Sequence, residues 1–173
     1  VGGWKTKRFV NSWAKEQTGE PIPAELIEKI KASANFNTGY STLRQLSFGY
    51  LDMAWHTLTE PFDGDVFEFE QSAWKKALIL PSVEGTSMSC QFNHIFSGGY
   101  SAGYYSYKWA EVLDADAFSV FQKNGIFDNE TASRFKTEIL EKGGSEHPMI
   151  LYKRFRGNEP SIDALLRRNG IMK

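Results

Sequence analysis

The chain has one cysteine, Cys90, and three histidines, His56, His94 and His147, in 173 residues. A single thiol excludes an intrachain disulfide and any multi-cysteine metal site. No local motif marks Cys90 as a nucleophile. No histidine has a second one four residues away, so the His-Glu-x-x-His arrangement that sets two zinc ligands on one helical face is missing. Charge of one sign is also in short supply. Lys and Arg number 20 against 21 Asp and Glu, mixed along the chain, for a net charge of -1. A nucleic-acid partner requires a basic patch or stripe, and none is present. No apolar run nears the roughly 20 residues of a membrane-spanning helix. Val1-Gly2-Gly3-Trp4 carries no charged start followed by an apolar stretch, so no secretory signal is read there. The lone cysteine fits a reducing compartment. A cytoplasmic location is the expectation, with the periplasm as its alternative.

Aromatic residues are abundant: 13 Phe, 7 Tyr and 5 Trp, which calls for a large core or an aromatic-lined cleft. Alternation of period two is scarce, and Gly and Pro gather between segments of helical spacing. The pattern predicts an all-α fold, one helical unit over residues 1–173 without repeats. Helices are expected at about 4–17, from Pro23 to about Ala34, at 39–60, at 65–78 and at 101–123. A further helix capped by Asp128 or Asn129 should end at Gly143-Gly144, Ser145 should open the next, and a last short one should run from Ser161 to Gly170. In the 39–60 helix, Leu43, Leu46, Tyr50, Leu51, Ala54 and Leu58 form the stripe expected to face the core. Asp52 and His56 lie one turn apart on the other face. A metal or catalytic pair is one reading of them, and a solvated ion pair is the one adopted. Residues 79–99 lose periodicity, and long irregular loops within compact domains are often functional.

The informative stretch is Phe92 to Trp109, FNHIFSGGYSAGYYSYKW. At about 100° per residue, Ala102, Tyr105, Trp109, Val112, Leu113 and Val120 share the inward face of a helix. Tyr100, Tyr104, Tyr107 and Glu111 share the opposite face. A phenol offers an apolar ring and an O–H donor at neutral pH. Several together can hold a peptide backbone or steady an oxyanion, and they can equally be half-buried packing residues with wet hydroxyls. Gly98 and Gly99 allow a sharp turn and close backbone approach to a ligand, and His94 adds another donor. Asp116 falls toward the apolar side, where Arg154 or Arg156 is its expected partner. Either arginine can alternatively meet a peptide carboxylate.

The segment His94-Ile95-Phe96-Ser97-Gly98-Gly99-Tyr100-Ser101-Ala102-Gly103-Tyr104-Tyr105-Ser106-Tyr107, continued through Trp109 to Phe118, resembles the signature of the thimet-oligopeptidase-like zinc metallopeptidases. This family includes oligopeptidase A and peptidyl-dipeptidase Dcp. Phe36 to Tyr40, Leu51 to Leu58, Gly143-Gly144-Ser145 and Lys153 to Pro160 extend the resemblance along most of the chain. Leu51 to Leu58 and Tyr100 to Trp109 look closer to the bacterial dipeptidyl carboxypeptidase branch.

The resemblance implies the C-terminal portion of a mostly helical, two-halved zincin-like catalytic domain that hydrolyses short peptides and releases C-terminal dipeptides. It implies that Tyr107 stabilises the tetrahedral intermediate. Tyr100 and His94 then contact substrate; helix geometry adds Tyr104 at the cleft with Tyr105 in packing, and the turn at Gly98 and Gly99 brings backbone to the substrate. The zinc, its ligands and the general base are expected in an N-terminal half of the same polypeptide upstream of Val1, so no metal ligand is assigned here and the 173 residues alone should be inactive. A non-catalytic helical peptide-binding module is the alternative.

Overall fold

A computed structural model describes residues 19, 20 and 22–172. The helix expected over 4–17 lies outside them. Among the described residues the secondary structure is helical throughout, without strands. The α-helices are α1 (Ala24–Ser33), α2 (Thr38–His56), α3 (Val66–Trp74), α4 (Asn93–Phe96), α5 (Ser106–Asn124), α6 (Asn129–Phe135), α7 (Pro148–Arg156) and α8 (Asp163–Arg168). A 3-10 turn at Ser89–Gln91 precedes α4, and a π-helical segment, Lys136–Leu140, continues α6.

Local chemistry accounts for several of the ends. Asp65 caps α3 by accepting from the Glu68 N–H at 2.8 Å, and Asp128 caps α6 by accepting from Thr131 N–H at 2.7 Å. Each cap satisfies one of the amide donors that a helix start leaves without an internal partner. The start of α7 comes from His147 rather than the expected Ser145. Its Nδ1 accepts from Met149 N–H at 3.2 Å, and Pro148 takes the first helical position, where its missing N–H costs nothing. Gly157 ends α7 at φ 87°, a conformation that a Cβ would strain. The expected stops at Gly143 and Gly170 also stand, at φ 51° and 71°.

The described residues form two compact units, 37–116 and the remainder on either side of it, and the second boundary falls inside α5. In the first unit Phe48, Leu51, Trp74, Phe92 and Ile95 are buried together, with Trp55, Ala73, Met88 and Tyr104 packed against them. Full removal of a Phe, Leu or Ile side chain from water, as for Phe92, Leu51 and Ile95, stabilises a fold by ~1.5–3 kcal/mol. In the other unit, the rings of Phe121, Phe135 and Phe155 meet with centroids 5.2–6.2 Å apart, and Phe155 is fully buried.

The inward face of α2 differs from the expected stripe. Ser47, Phe48, Leu51 and Asp52 are its buried residues, while Leu46 and Tyr50 are 37% and 46% exposed. Aromatic volume explains the offset: Phe48 packs tilted against Phe92, and Trp55 against Phe62 and Phe69, and these contacts turn the Phe48 side of the helix inward. Leu46, Tyr50 and Met53 are left as an apolar stripe on the outer surface.

Asp52 is therefore not in a solvated ion pair. Its side chain is fully buried, and His56 Nδ1 lies 2.8 Å from its Oδ1. Arg154, one of the two partners expected for the buried Asp116, makes a two-point contact with Glu146 at 2.7 and 2.8 Å.

Candidate functional site

Within the first unit, segment 75–105, which holds the 3-10 turn and α4, is anchored to α2 and α3 by two buried carboxylates. Glu70, on α3, accepts from Met88 N–H at 3.0 Å, from Ser89 N–H and hydroxyl at 2.7 Å each, and from the Ser87 hydroxyl at 3.1 Å. The Trp55 indole N–H donates to the same Ser89 hydroxyl at 3.0 Å. With the loop held there, Phe92 and Ile95 sink into the core and α4 begins.

After α4 the chain turns back on itself. Asn93 carbonyl accepts from Ser97 N–H at 2.9 Å and Gly98 N–H at 2.6 Å, and the His94 carbonyl accepts from Tyr100 N–H at 3.1 Å. This closure explains Gly98. A Cβ there would sit 2.8 Å from the His94 carbonyl oxygen, while one on Gly99 would meet nothing within 4 Å. Only the first of the two glycines is sterically required.

The helix expected from residue 101 begins at Ser106 instead. Residues 101–105 are turns, and Ala102 adopts the left-handed conformation at φ 53°. Helical phase therefore does not apply across Tyr100, Tyr104 and Tyr107, and the cluster is built from a turn and the first residues of α5.

The tyrosines nevertheless converge. Tyr100 and Tyr107 stack with ring centroids 5.2 Å apart and planes 21° from parallel. Tyr104 lies 5.0 Å from Tyr107, and His94 lies 5.9 Å from both Tyr100 and Tyr104. Tyr104 faces two ways, since its ring also packs edge-on against Phe48 and Phe92 at 5.8 and 5.0 Å. Tyr105, expected in packing, is 62% exposed, and Trp109 is 44% exposed. The left-handed residue rotates that part of the chain away from the phase that a continuous helix would have given. Glu111 pairs with Lys108 at 2.7 Å.

Electrostatically Tyr107 keeps its proton. A hydrogen bond to the Tyr100 hydroxyl pushes the Tyr107 phenol above its ordinary value of 10.0, and desolvation and the neighbouring phenols act in the same direction. Both hydroxyl-bearing rings are about a third exposed, so their O–H groups are within reach of a bound molecule. Neutral phenols beside two backbone turns make a donor-rich, partly apolar surface suited to carbonyl oxygens.

One participant escaped the sequence reading. Asp52 accepts from Ala102 N–H at 2.9 Å with Oδ1 and from Tyr104 N–H at 2.9 Å with Oδ2. The signal was its place beside Leu51 and one turn after Phe48, on the face where the aromatics are concentrated. Among the described residues no three His, Cys, Asp or Glu side chains gather to hold a metal ion, so zinc has no fitting donor set here. No helix of the described residues is long and apolar enough to cross a membrane.

Residues 4–171 match the profile described as Peptidase family M3. The chain is 47% identical to oligopeptidase A of Escherichia coli (strain K12) over 176 residues, covering 95% of this chain and 26% of that protein. It is 44% identical to probable cytosolic oligopeptidase A of Arabidopsis thaliana, covering 90% of this chain and 23% of that protein. Dipeptidyl carboxypeptidase of Salmonella typhimurium is 40% identical, covering 89% of this chain and 23% of that protein. The chain thus spans about a quarter of the length of the curated relatives it matches. Identity to the oligopeptidases A exceeds that to the dipeptidyl carboxypeptidase, so overall similarity does not single out the latter branch.

Proposed function

The chain belongs to peptidase family M3, and from that premise we propose that it is the C-terminal portion of the catalytic domain of a longer zinc-dependent peptidase acting on short peptides. Its contribution is the substrate-facing wall. The observation that carries this reading is the stacked Tyr100–Tyr107 pair, joined by Tyr104 and His94, with the Tyr107 hydroxyl held in the donor form.

In this reading the Tyr107 hydroxyl turns its one proton from Tyr100 to the oxygen that becomes negative when a peptide carbonyl is attacked. A donor aimed at developing charge stabilises the transition state more than the ground state, which is what accelerates the step. Tyr100, Tyr104 and His94 contact the peptide around the scissile bond, and the turn through Gly98 and Gly99 lets backbone approach it. Release of C-terminal dipeptides is the proposed outcome, in keeping with the relatives named dipeptidyl carboxypeptidase.

The zinc, its ligands and the general base are assigned to the rest of the longer polypeptide, and no residue here is given a ligand role. The outward stripe of Leu46, Tyr50 and Met53 supports that assignment, because apolar side chains aligned on one helix face fit a protein partner better than water. The parent protein is proposed to be cytoplasmic.

The test is Tyr107→Phe in the full-length protein, assayed on a short fluorogenic peptide. The expected result is a fall in kcat of at least about tenfold with KM changed less than about threefold, because the transition-state donor is lost while the ring stacked on Tyr100 stays. A smaller fall in kcat overturns the oxyanion role. Zinc-dependent cleavage by the purified 173-residue chain would overturn the assignment of the metal to the remainder.

A further inference from the structure

We propose that Asp52, buried at the middle of α2, is the positioning residue that sets the turn 101–105 and thereby presents the Tyr100–Tyr107 pair. The proposal rests on the reading of that pair as substrate-facing.

The geometry is a two-point clamp. Each oxygen of the carboxylate accepts one backbone N–H, from Ala102 and from Tyr104, both at 2.9 Å. Two anchors two residues apart fix the orientation of the peptide planes between them. Hydrogen bonds to a charged acceptor are shorter and stronger than neutral ones, so the clamp is stiff. Stiffness is needed here, because Ala102 sits at φ 53°, where a residue with a Cβ does not rest of its own accord. His56 supplies a third contact, with Nδ1 2.8 Å from Asp52 Oδ1 and 2.9 Å from the Asp52 carbonyl oxygen.

All three phenols are tied to that clamp. Tyr104 N–H is one of the two clamped amides. The Tyr100 carbonyl accepts from Gly103 N–H at 2.8 Å, which fastens Tyr100 to the same turn. The Tyr104 carbonyl accepts from Tyr107 N–H at 3.3 Å, which starts α5 and places the third ring. A substrate role for Asp52 itself is ruled out by its complete burial. Burying a carboxylate carries a large desolvation penalty that a neutral side chain would avoid. Holding an otherwise disfavoured turn is the work that offsets it.

The test uses the full-length protein with Asp52→Asn, Tyr107→Phe and the double variant. An Asn side chain keeps the shape but turns an N–H2 donor toward one of the two amides. Asp52→Asn is expected to lower kcat at least about tenfold with KM within about threefold, and the double variant to be no slower than the slower single variant within about twofold, because both act through one phenol. In protein labelled with 13C-tyrosine, the Tyr107 titration midpoint is expected to move in Asp52→Asn as its bond to Tyr100 loosens. Multiplying losses in the double variant together with an unmoved Tyr107 titration overturn the proposal. If Tyr107→Phe leaves kcat unchanged, the oxyanion reading fails, and the Tyr107 titration alone decides the positioning role. Should Asp52→Asn fail to fold, hydrogen exchange on the unaltered protein decides. Ala102 and Tyr104 amides are expected to be protected together by about a hundredfold or more, and exchange at the rate of a free peptide overturns the clamp.

Discussion

The Tyr100 and Tyr107 rings stack at 5.2 Å, although one lies in a turn and the other in the second residue of a helix. The bond between their hydroxyls favours the protonated Tyr107, which raises its pKa above the ordinary value of 10.0. Tyr100→Phe removes that acceptor, so the Tyr107 midpoint should move down toward 10.0, as read by 13C-tyrosine NMR titration. The sign has a consequence for pH dependence. A raised folded-state value means that the contribution to stability is complete below the ordinary phenol value and is lost as pH rises through the folded one. Its effect is confined to alkaline solution, and no titration of Tyr107 should appear in peptidase activity near neutrality.

The two adjacent glycines should behave differently. A Cβ on Gly98 would meet the His94 carbonyl oxygen at 2.8 Å, and that backbone cannot retreat without releasing the bonds that close α4. Gly98→Ala is expected to destabilise by about 1–3 kcal/mol, the usual cost of forcing volume into a closed site, and to lower kcat as the tyrosine turn shifts. Gly99→Ala has open space and should stay within about 0.5 kcal/mol. Urea denaturation of the two variants checks the pair, and equal effects would contradict the close approach.

Helix positions were legible in the sequence because spacing, caps and stops are local properties. Asp128 caps α6 and Gly143 and Gly170 stop their segments as the residue types demand. Convergence of His94, Tyr100, Tyr104 and Tyr107 was also legible, for a reason only partly correct. The 100° rule grouped the tyrosines on one helix face, yet a left-handed Ala102 interrupts that helix before it starts. Nothing in an Ala-Gly-Tyr string marks the alanine as left-handed, since the restraint comes from Asp52, 50 positions earlier. Burial of Asp52 and Glu70 was hidden in the same way. A charged residue defaults to solvent unless its partners are known, and these partners are loop amides distant in sequence.

Glu70 separates loop-holding from the tyrosine site. Four donors converge on its carboxylate, so a glutamine amide in its place would face N–H2 toward a donor in either orientation. Glu70→Gln is expected to destabilise by about 1–3 kcal/mol, the cost of an unsatisfied buried polar group. Its urea midpoint should fall while kcat measured well below that midpoint holds within about twofold, since Glu70 anchors Ser87–Ser89 rather than the tyrosine turn. A loss of kcat equal to that of Asp52→Asn would mean that the two loops respond as one.

Ala102 offers the cleanest test of backbone strain at the site. The residue is exposed, so substitutions there change little packing, and its φ of 53° dominates the outcome. Glycine adopts that conformation freely but is also more disordered when unfolded, and the two effects oppose each other. Ala102→Gly should therefore leave stability within about 1 kcal/mol of the parent. Valine adds a β-branch in a region where branched residues are outliers, so Ala102→Val should cost more than about 1 kcal/mol and weaken the Asp52 clamp. Melting of both variants, with Tyr104 amide exchange as the local readout, checks the expectation. Equal tolerance of glycine and valine would mean that the turn is not held in the left-handed conformation in solution, and the tyrosine pair would then need another source of order.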